Sequence, residues 1–438
     1  MIDFQQGRRE FIQKAILAGT TIPAMGSGLG ASVTFAAKGS TSPNEKLNLA
    51  AIGTAARAAA DIKGCATENI VALCDIDDHR LAAAKKIYTK AKTYNDYRKV
   101  LDRDDLDGVI IGTPDHMHAI PISAALKRGL PVYCEKPLTH SVYEADYIRK
   151  LSAKAGVATQ MGNQIHSGDN YRRVVETIEQ GIIGQVRRVH VWLGGGGRFI
   201  TDGKRAKVNN PPKYVHYDLW LGPAPFRPYD ASSFHFNWRY WWDFGNGQLG
   251  DFCCHYMDLP FWALKLGQPT TVHAVGEKAH NGENECPYKM KADYHFPARG
   301  DLPAVHMTWY HGGWKPEGAE DYKKNSAVLF EGDDGRLIAD YGSHKVFMEE
   351  GKEAETVKPY IKNSIGHHQE WIAAIKHGSP TGSNFAYGAL LTGVSLLGNV
   401  SYRAGQKKLV WDAENLRATN LPEADQFIRR DYRKGWSL

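Results

Sequence analysis

Val132-Tyr-Cys-Glu-Lys-Pro137 is a short apolar stretch that ends in a charged pair and is stopped by a proline. Proline has no backbone N–H to donate to a sheet and disfavours helix in the residue before it, so Lys136 stands at an enforced break. In an open α/β sheet, ligands bind where the strands end at their carboxyl side. We therefore predict a buried strand over 131–134 and a ligand site at Lys136.

Strand-like and helical segments alternate on both sides of this stretch. Apolar runs typical of buried parallel strands occupy 46–53, 70–75, 107–112, 131–134 and 157–161, with helical segments between them. This alternation predicts a doubly wound α/β sheet. From Gln185 the pattern changes to strands, several of alternating polarity, at 186–193, 271–277, 291–296, 304–310, 327–331, 337–340 and 345–348. The second part is therefore predicted to be an α+β domain with a largely antiparallel open sheet.

The turn after the first predicted strand reads Gly53-Thr-Ala-Ala-Arg-Ala58. A dinucleotide-binding fold places G-x-G-x-x-G there, and this chain has alanine at the second and third glycine positions. The alanine methyl groups narrow the approach of a pyrophosphate, but the helix amino terminus can still receive phosphate. Asp75 ends the next strand at the spacing expected of this fold. An acid there accepts from the ribose 2′-hydroxyl and repels a 2′-phosphate, which favours NAD over NADP.

Thr113-Pro-Asp-His-Met-His118 follows the strand at 107–112 and is predicted to pass beside the cofactor. His116 and His118 are interpreted as cavity-wall or capping residues rather than metal ligands, because no carboxylate or cysteine cluster completes a site. The predicted cofactor-binding residues are Gly53, Thr54, Ala55, Arg57, Asp75, Thr113, Pro114, His118, Glu135 and Lys136.

A second stretch, Gly250-Asp-Phe-Cys-Cys-His255, places Asp251 and His255 four residues apart, on one face if helical. Histidine titrates near neutral pH and suits a base that takes a hydroxyl proton, while a lysine beside the same oxygen stabilises the developing alkoxide. We predict that Lys136, Asp251 and His255 meet over a sugar-like substrate beside a nicotinamide. Which of Lys136 and His255 takes the proton stays open, and the alternative for all three is a surface lysine with an ordinary ion pair.

The composition argues against several other classes of function. The chain has 438 residues, 42% hydrophobic and 23% charged, as in a soluble protein of two domains. Its net charge of +6 is spread along the sequence, so nucleic-acid binding is not indicated. The six cysteines lack CxxC and metal-ligand spacing; we interpret them as structural thiols and predict no metal site.

Gly7-Arg-Arg-Glu-Phe-Ile-Gln-Lys14 precedes a moderately apolar run, rich in glycine and alanine, that extends to about Ala37. This pattern resembles a twin-arginine export signal, against the alternative of a chance Arg-Arg before a disordered tail. The apolar part is too short and glycine-broken for a stable membrane span. We therefore predict a periplasmic or secreted protein without stable membrane insertion.

Together these stretches resemble the Gfo/Idh/MocA oxidoreductase family. The resemblance covers about 46–402 and is carried by Ala51-Ile-Gly53, Cys74-Asp75, Gly112–His118, Glu135-Lys-Pro137 and Gly250-Asp251 with His255-Tyr-Met-Asp258. It implies an amino-terminal Rossmann domain and a carboxyl-terminal sheet that is both substrate platform and interface of a homo-oligomer, a dimer or tetramer. Lys136 matches the family's catalytic lysine, and Asp251 and His255 match its substrate-binding acid and catalytic histidine.

The predicted organisation is a twin-arginine segment at 1–37, a linker at 38–45, an NAD-binding Rossmann domain at 46–166, a substrate and oligomerisation domain at 167–402, and a charged tail at 403–438. Two late helices at 367–377 and 385–402 are expected to pack back on the body, and the tail is interpreted as an arm over a partner subunit. The predicted carbohydrate contacts are Asn163, Gln164, His166, Trp238, Arg239 and Trp242, with ordinary core as the alternative for the two tryptophans and the arginine.

Export affects the expected reaction, because no pool of free NAD is replenished outside the cytoplasm. The first prediction is an NAD-dependent oxidoreductase acting on a secondary hydroxyl of a sugar or sugar derivative, with a cofactor that is retained and recycled. The second is a redox-neutral NAD-dependent glycosidase or lyase that acts through a transient keto-sugar. The third is a degenerate sugar-binding protein, which the alanines of the cofactor loop suggest.

Overall fold

The structure, a computed structural model, describes residues 45–194, 210–231, 234–279 and 285–438. The predicted export segment at 1–37 and nearly all of the linker at 38–45 lie outside the described residues. The described residues all belong to one compact unit.

The first part of the chain forms a six-stranded parallel sheet in the order β3-β2-β1-β4-β5-β6. Its strands are β1 Asn48–Ile52, β2 Asn69–Cys74, β3 Lys92–Tyr94, β4 Gly108–Ile111, β5 Val132–Glu135 and β6 Thr159–Gly162. The helices of this part are α1 Arg57–Gly64, α2 Asp78–Ile87, α3 Tyr97–Leu101, α4 Ala119–Lys127 and α5 Val142–Ala155. Strands β4, β5 and β6 are buried throughout, as expected of a sheet covered on both faces. The predicted doubly wound fold is confirmed.

The second part forms a nine-stranded sheet in the order β13-β12-β11-β7-β10-β9-β8-β14-β15. Its strands are β7 Val186–Trp192, β8 Thr271–Glu277, β9 Lys289–Phe296, β10 Val305–His311, β11 Ala327–Gly332, β12 Gly335–Ala339, β13 His344–Met348, β14 Leu409–Asp412 and β15 Arg417–Ala418. The helices here are α6 Asp169–Glu179, α7 Tyr217–Leu221, α8 Gly247–Tyr256, α9 Asp258–Ala263, α10 His367–His377, α11 Phe385–Arg403 and α12 Asp425–Ile428. Only the β7–β10 pair is parallel in the described part of this sheet, so the prediction of a largely antiparallel sheet is confirmed.

Helix α11 joins the two sheets. The side chain of Asn384 caps it by accepting from the backbone N–H of Tyr387 at 3.1 Å, and most of its residues are buried. It packs against α5 of the first domain and against α8 and β8 of the second. Helix α10 packs on the first sheet, where Trp371 is fully buried in one cluster with Leu49 and Tyr133. The predicted packing of both late helices on the body is thus seen. In the described part of the chain, no helix has the length and apolarity needed to span a membrane.

Residues 403–438 do not form a free arm. Strand β14 pairs with β8 at the edge of the second sheet, and β15 pairs with β14. The interpretation of this region as an arm over a partner subunit is therefore wrong for the part that holds these strands. The two strands have only four and two residues, too few for a sequence pattern to mark them as strands.

Candidate active site

A cavity of about 680 Å³ lies along the carboxyl ends of the parallel strands. The turn after β1, the ends of β2 and β3, the turn after β4 and the end of β5 supply one wall, and helix α8 with the 3₁₀ turn at 237–240 supplies the other. This is the position at which open α/β sheets bind their ligands.

The turn after β1 requires a glycine at its first position and accepts an alanine at its last. Gly53 has φ +89°, and a Cβ there would lie 2.7 Å from the carbonyl oxygen of Gly112. A Cβ at Gly112 would lie 2.5 Å from the Ala58 methyl group. Gly112, directly after the neighbouring strand β4, has no side chain, so the Ala58 methyl group fits beside it and α1 still packs closely on the sheet. The absence of a side chain at Gly112 thus offsets the alanine at the third glycine position of the loop.

The residue just before α1 holds a strained backbone. Ala56 has φ 52° and ψ −120°, and no side chain caps the helix that begins at Arg57. An L-residue in such a region costs about 1–3 kcal/mol, whereas glycine adopts it freely.

Ala56→Gly is expected to raise the free energy of unfolding by about 1 kcal/mol, because the relieved strain exceeds the roughly 0.5–1 kcal/mol entropy cost of a new glycine. Urea unfolding followed by circular dichroism measures it, and the m-value should not change. The matched control is Ala59→Gly at an exposed position inside α1, which is expected to lower stability by about 1 kcal/mol. Equal destabilisation by both variants would contradict the assigned strain.

Asp75, at the end of β2, organises the cofactor turn. Its Oδ2 accepts from the backbone N–H of Thr54 at 2.9 Å and from the Thr54 hydroxyl at 2.8 Å. Its Oδ1 accepts from the backbone N–H of Asp77 at 3.0 Å. A carboxylate offers about four acceptor positions, so Asp75, which lines the cavity, keeps capacity for a ribose hydroxyl.

Arg57 is held at the cavity edge by two buried acids. Its guanidinium lies 3.2 Å from Glu135 Oε1 and 3.1 Å from Asp61 Oδ1, and Gln164 donates to the same Glu135 oxygen at 2.6 Å. Burial and the charge of Asp61 raise the pKa of Glu135 to about 7. Glu135 therefore acts on the cofactor site by fixing Arg57, whose side chain stays 45% exposed and can donate to a phosphate.

Lys136 and Asp251 meet directly, although 115 residues separate them. Lys136 Nζ donates to the Asp251 carbonyl at 2.6 Å and to Oδ1 at 2.7 Å, and Arg239 Nε approaches the same Oδ1 at 3.4 Å. Burial disfavours the charged form of both side chains, but the opposite charge of the partner outweighs it. Asp251 raises the pKa of Lys136, and Lys136 and Arg239 hold the pKa of Asp251 below its usual value. The lysine is thus a protonated hydrogen-bond donor.

His255 lies one helical turn after Asp251 on α8 and lines the same cavity, as its spacing predicts. Among the described residues its Nδ1 is buried without a hydrogen-bond partner. Burial lowers the pKa of His255 to about 3, and the charge of Lys136 adds to this effect. At neutral pH His255 is therefore a neutral imidazole beside a protonated Lys136.

Asp115 is a cavity residue that the sequence analysis missed as a site residue. It follows Thr113 and Pro114, which line the cavity as predicted, and it is 3% exposed. Burial and the charge of Asp251 raise the pKa of Asp115 to about 7, against the opposing charges of Arg239 and Lys136. Its position inside the Thr113–His118 motif was the only available sequence signal.

His118 does not reach the cavity, so the predicted cofactor contact is not seen. Its Nδ1 faces the Pro137 carbonyl at 2.8 Å and its Nε2 faces the Thr113 carbonyl at 2.7 Å. It therefore links the turn after β4 to the turn after β5, where the Lys136–Pro137 peptide bond is cis. Burial lowers its pKa. The remaining predicted cofactor residues, Gly53, Thr54, Ala55, Arg57, Asp75, Thr113, Pro114, Glu135 and Lys136, all line the cavity.

Half of the predicted carbohydrate contacts lie elsewhere. Gln164, Trp238 and Arg239 line the cavity. Asn163 and His166 instead bind the fully buried Asp258, at 3.1 Å and 3.0 Å.

Trp242 lies outside the cavity lining as well. Its ring lies under the Arg403 guanidinium at 4.9 Å. The predicted substrate roles of Asn163, His166 and Trp242 are therefore wrong as direct contacts. Their polar and aromatic side chains stabilise the packing of α9 and α11 instead.

The cavity fits a dinucleotide. Its turn has no side chain at Gly53, α1 begins there, and Asp75 faces the position of a ribose.

The comparison with protein families matches nearly all of the described chain. Residues 47–163 match the oxidoreductase family's NAD-binding Rossmann fold, and residues 168–438 match the family's C-terminal alpha/beta domain. Inositol 2-dehydrogenase of Salmonella typhimurium is 34% identical over 123 residues, 28% of this chain and 37% of the relative. A glycosyl hydrolase family 109 protein of Stenotrophomonas maltophilia is 26% identical over 194 residues, 41% of each chain. The chain spans little more than a third of the length of the first of these curated relatives.

Solved structures share the fold over most of their length. The WlbA dehydrogenase of Bordetella pertussis, in complex with NADH and UDP-GlcNAcA, has a TM-score of 0.60 at 19% identity and covers 84% of this chain and 99% of its own. The aldose-aldose oxidoreductase of Caulobacter crescentus, complexed with glycerol, has a TM-score of 0.59 at 17% identity and covers 84% of this chain and 100% of its own. With both family domains matched in order, the chain belongs to the Gfo/Idh/MocA oxidoreductase family.

Proposed function

We propose that this protein is an NAD-dependent oxidoreductase that acts on a secondary hydroxyl of a sugar or sugar derivative. The main support is that one cavity is lined both by the dinucleotide turn and by a protonated Lys136, its partner Asp251 and a neutral His255. Relatives named inositol 2-dehydrogenase and a fold neighbour named aldose-aldose oxidoreductase support a carbohydrate substrate.

The chemistry divides between the cofactor and two side chains. NAD, when bound, supplies the acceptor for the hydride that leaves the alcohol carbon. Lys136 has three N–H donors, and two of them are directed to Asp251. The third can donate to the substrate oxygen and stabilise its developing negative charge. The imidazole of His255 can take the hydroxyl proton, because it is neutral.

Arg239 and Asp251 position the substrate in this proposal. Arg239 lies over the Trp238 ring at 4.3 Å, which fixes its guanidinium at the cavity wall. An arginine and a carboxylate side by side offer donors and acceptors to neighbouring hydroxyls, which a polyhydroxylated ring presents.

The test is to add monosaccharides and cyclitols to the purified protein loaded with NAD and to record absorbance at the wavelength of reduced nicotinamide. Reduction by at least one sugar supports the proposal. Release of nitrophenol from p-nitrophenyl glycosides without net reduction would replace it with a redox-neutral glycosidase. Failure to bind NAD at any concentration would leave a sugar-binding protein.

We also propose that the protein is exported through its twin-arginine segment to the periplasm or the medium, and that it therefore retains NAD and recycles it. The support is the Arg8-Arg9 motif with its apolar run. Replacing both arginines with lysine is expected to leave the protein in the cytoplasm, as fractionation would show. Equal export of the variant would contradict the signal assignment.

A homo-oligomer, dimer or tetramer, is proposed as well. The second sheet carries a row of ordered polar side chains, in which Arg188 donates to Thr308 at 2.9 Å and Thr308 donates to Asp293 at 2.6 Å. Such a row suits a partly polar interface. Light scattering during gel filtration measures the molecular mass in solution. A monomer at micromolar concentration would contradict the proposed homo-oligomer.

A further inference from the structure

The last residues of the chain, 429–438, run back over the first domain, and we call them the C-terminal strap. Arg430 forms an ion pair with Glu144 at 2.7 Å and donates to the His116 carbonyl at 2.7 Å. Tyr432 donates to the same Glu144 carboxylate at 2.6 Å, and Glu144 is 1% exposed. A buried carboxylate that accepts from both residues holds the strap more firmly than surface contacts could.

A second anchor sets the direction of the strap. Arg433 donates to the Gly222 carbonyl at 3.0 Å and to the Asp218 carbonyl at 2.8 Å, and it pairs with the Asp218 carboxylate. The backbone N–H of Trp436 then donates to the Arg433 carbonyl at 3.1 Å, and Gly435 takes φ +90°. This turn directs Trp436 to the first domain.

Trp436 forms part of the cavity wall. Its ring lies 6.4 Å from the Tyr97 ring, and the Arg98 guanidinium lies 5.3 Å from its centre. Arg98 is itself fixed by Asp96, at 2.9 Å and 2.7 Å. An aromatic ring held by two neighbouring side chains can bind a ligand with little further loss of conformational entropy.

The order of the strands shows which part of the cavity Trp436 closes. Its neighbours Asp96 and Tyr97 follow β3, whereas Lys136 follows β5, four strand intervals away in the sheet. At ~4.8 Å per interval, these positions are about 19 Å apart. Asp75, at the end of β2, lies next to the β3 side. The ribose that Asp75 would bind carries adenine on the neighbouring carbon, so the base falls at the Trp436 end.

We propose that Trp436 is a positioning residue for the adenine of NAD, and that the C-terminal strap sets the rate at which the cofactor leaves. This inference rests on the proposed function, since it requires NAD in the cavity. An aromatic face suits a nucleobase, and the two anchors make the release of the base depend on movement of the strap.

The test compares Trp436→Ala, Trp436→Phe and the wild type. Each is purified without added nucleotide, its bound NAD is counted after denaturation, and NAD dissociation is followed by displacement. Loss of one base–aromatic stack is expected to speed dissociation of Trp436→Ala by about 5- to 150-fold. Trp436→Phe is expected to keep most of the retention. With saturating NAD, kcat should stay near the wild-type value while the KM for NAD rises.

Two further variants separate the strap from general damage. Trp314→Ala removes a half-buried tryptophan that packs beside the second sheet and does not line the cavity, and it should leave NAD dissociation unchanged. Arg433→Gln loosens the strap with Trp436 intact and should also speed dissociation. Unchanged dissociation in both Trp436→Ala and Arg433→Gln would overturn the inference while leaving the NAD-dependent function standing. A wild type that never binds NAD would overturn both.

Discussion

Replacing Lys136 with methionine is expected to lower kcat by about 10²- to 10³-fold, the effect of losing one donor to a developing oxyanion. Methionine keeps much of the side-chain length but removes the charge that the pair with Asp251 holds in place. The side chain is only 12% exposed, so water replaces the ammonium group poorly. Steady-state turnover at saturating NAD measures the loss, and bound NAD should be unchanged.

The matched control for Lys136→Met is Lys150→Met on helix α5. Lys150 also forms an ion pair with an aspartate, Asp146 at 2.7 Å, but its side chain is 64% exposed. Exposed pairs contribute little, about 0–1 kcal/mol. Wild-type turnover is expected for this control. Near-wild-type turnover in Lys136→Met as well would remove Lys136 from the catalytic machinery.

Replacing His255 with glutamine is expected to lower kcat by about 10²- to 10⁴-fold, the usual contribution of a general base. Glutamine keeps a polar side chain of similar size, so the fold around α8 should persist. Stopped-flow reduction of bound NAD separates the chemical step from product release. A full-rate reduction burst in His255→Gln would show that another group takes the proton.

The pH profile of kcat/KM shows whether His255 or a cavity carboxyl such as Asp115 titrates near neutral pH. The pKa of His255 is lowered to about 3, so the imidazole stays neutral above that pH and adds no acid limb near pH 6.5. The pKa values of Asp115 and of Glu135 are both raised to about 7, so an inflection of kcat/KM near neutrality is expected from these two carboxyls. Asp115→Asn should remove the part that comes from Asp115 and leave the part that comes from Glu135.

The same logic predicts the response of His255 to Lys136→Met. Removing a neighbouring cation favours the imidazolium, so the pKa of His255 should rise from about 3 towards its ordinary value. Titration of the imidazole proton resonances measures this shift. A fall of the pKa would contradict the assigned charge contact.

The fold was largely predictable because its signals are local. The alternation of apolar runs with helices predicted five of the six parallel strands, and helix α10 was predicted at its observed bounds. Strand β3 was not predicted because Lys92–Tyr94 is a three-residue edge strand with no buried residue. Strands β14 and β15 were not predicted because they are only four and two residues long, so the apolar Leu409-Val-Trp411 of β14 is too short to mark a strand.

The candidate site was predictable where chemistry coincided with a strand end or a helix face. Glu135-Lys136 at the end of β5 and the i,i+4 pair on α8 were identified in this way, and the structure brings Lys136, Asp251 and His255 to one cavity. Asn163 and His166 also follow a strand, β6, yet both turn to the buried Asp258. A polar side chain near a strand end is therefore not enough to predict that the side chain faces the cavity.

By itself, the sequence determined the two kinds of sheet, the cofactor turn and the residues with catalytic chemistry, because periodicity, turn propensity and side-chain type are properties of short segments. Only the tertiary structure decided which of them act together. It placed Lys136 against Asp251, matched Ala58 with Gly112, and brought Trp436 to the cavity. These contacts join segments tens to hundreds of residues apart, so they depend on packing. Burial, which the same packing creates, raises the pKa of Asp115 and lowers the pKa of His255.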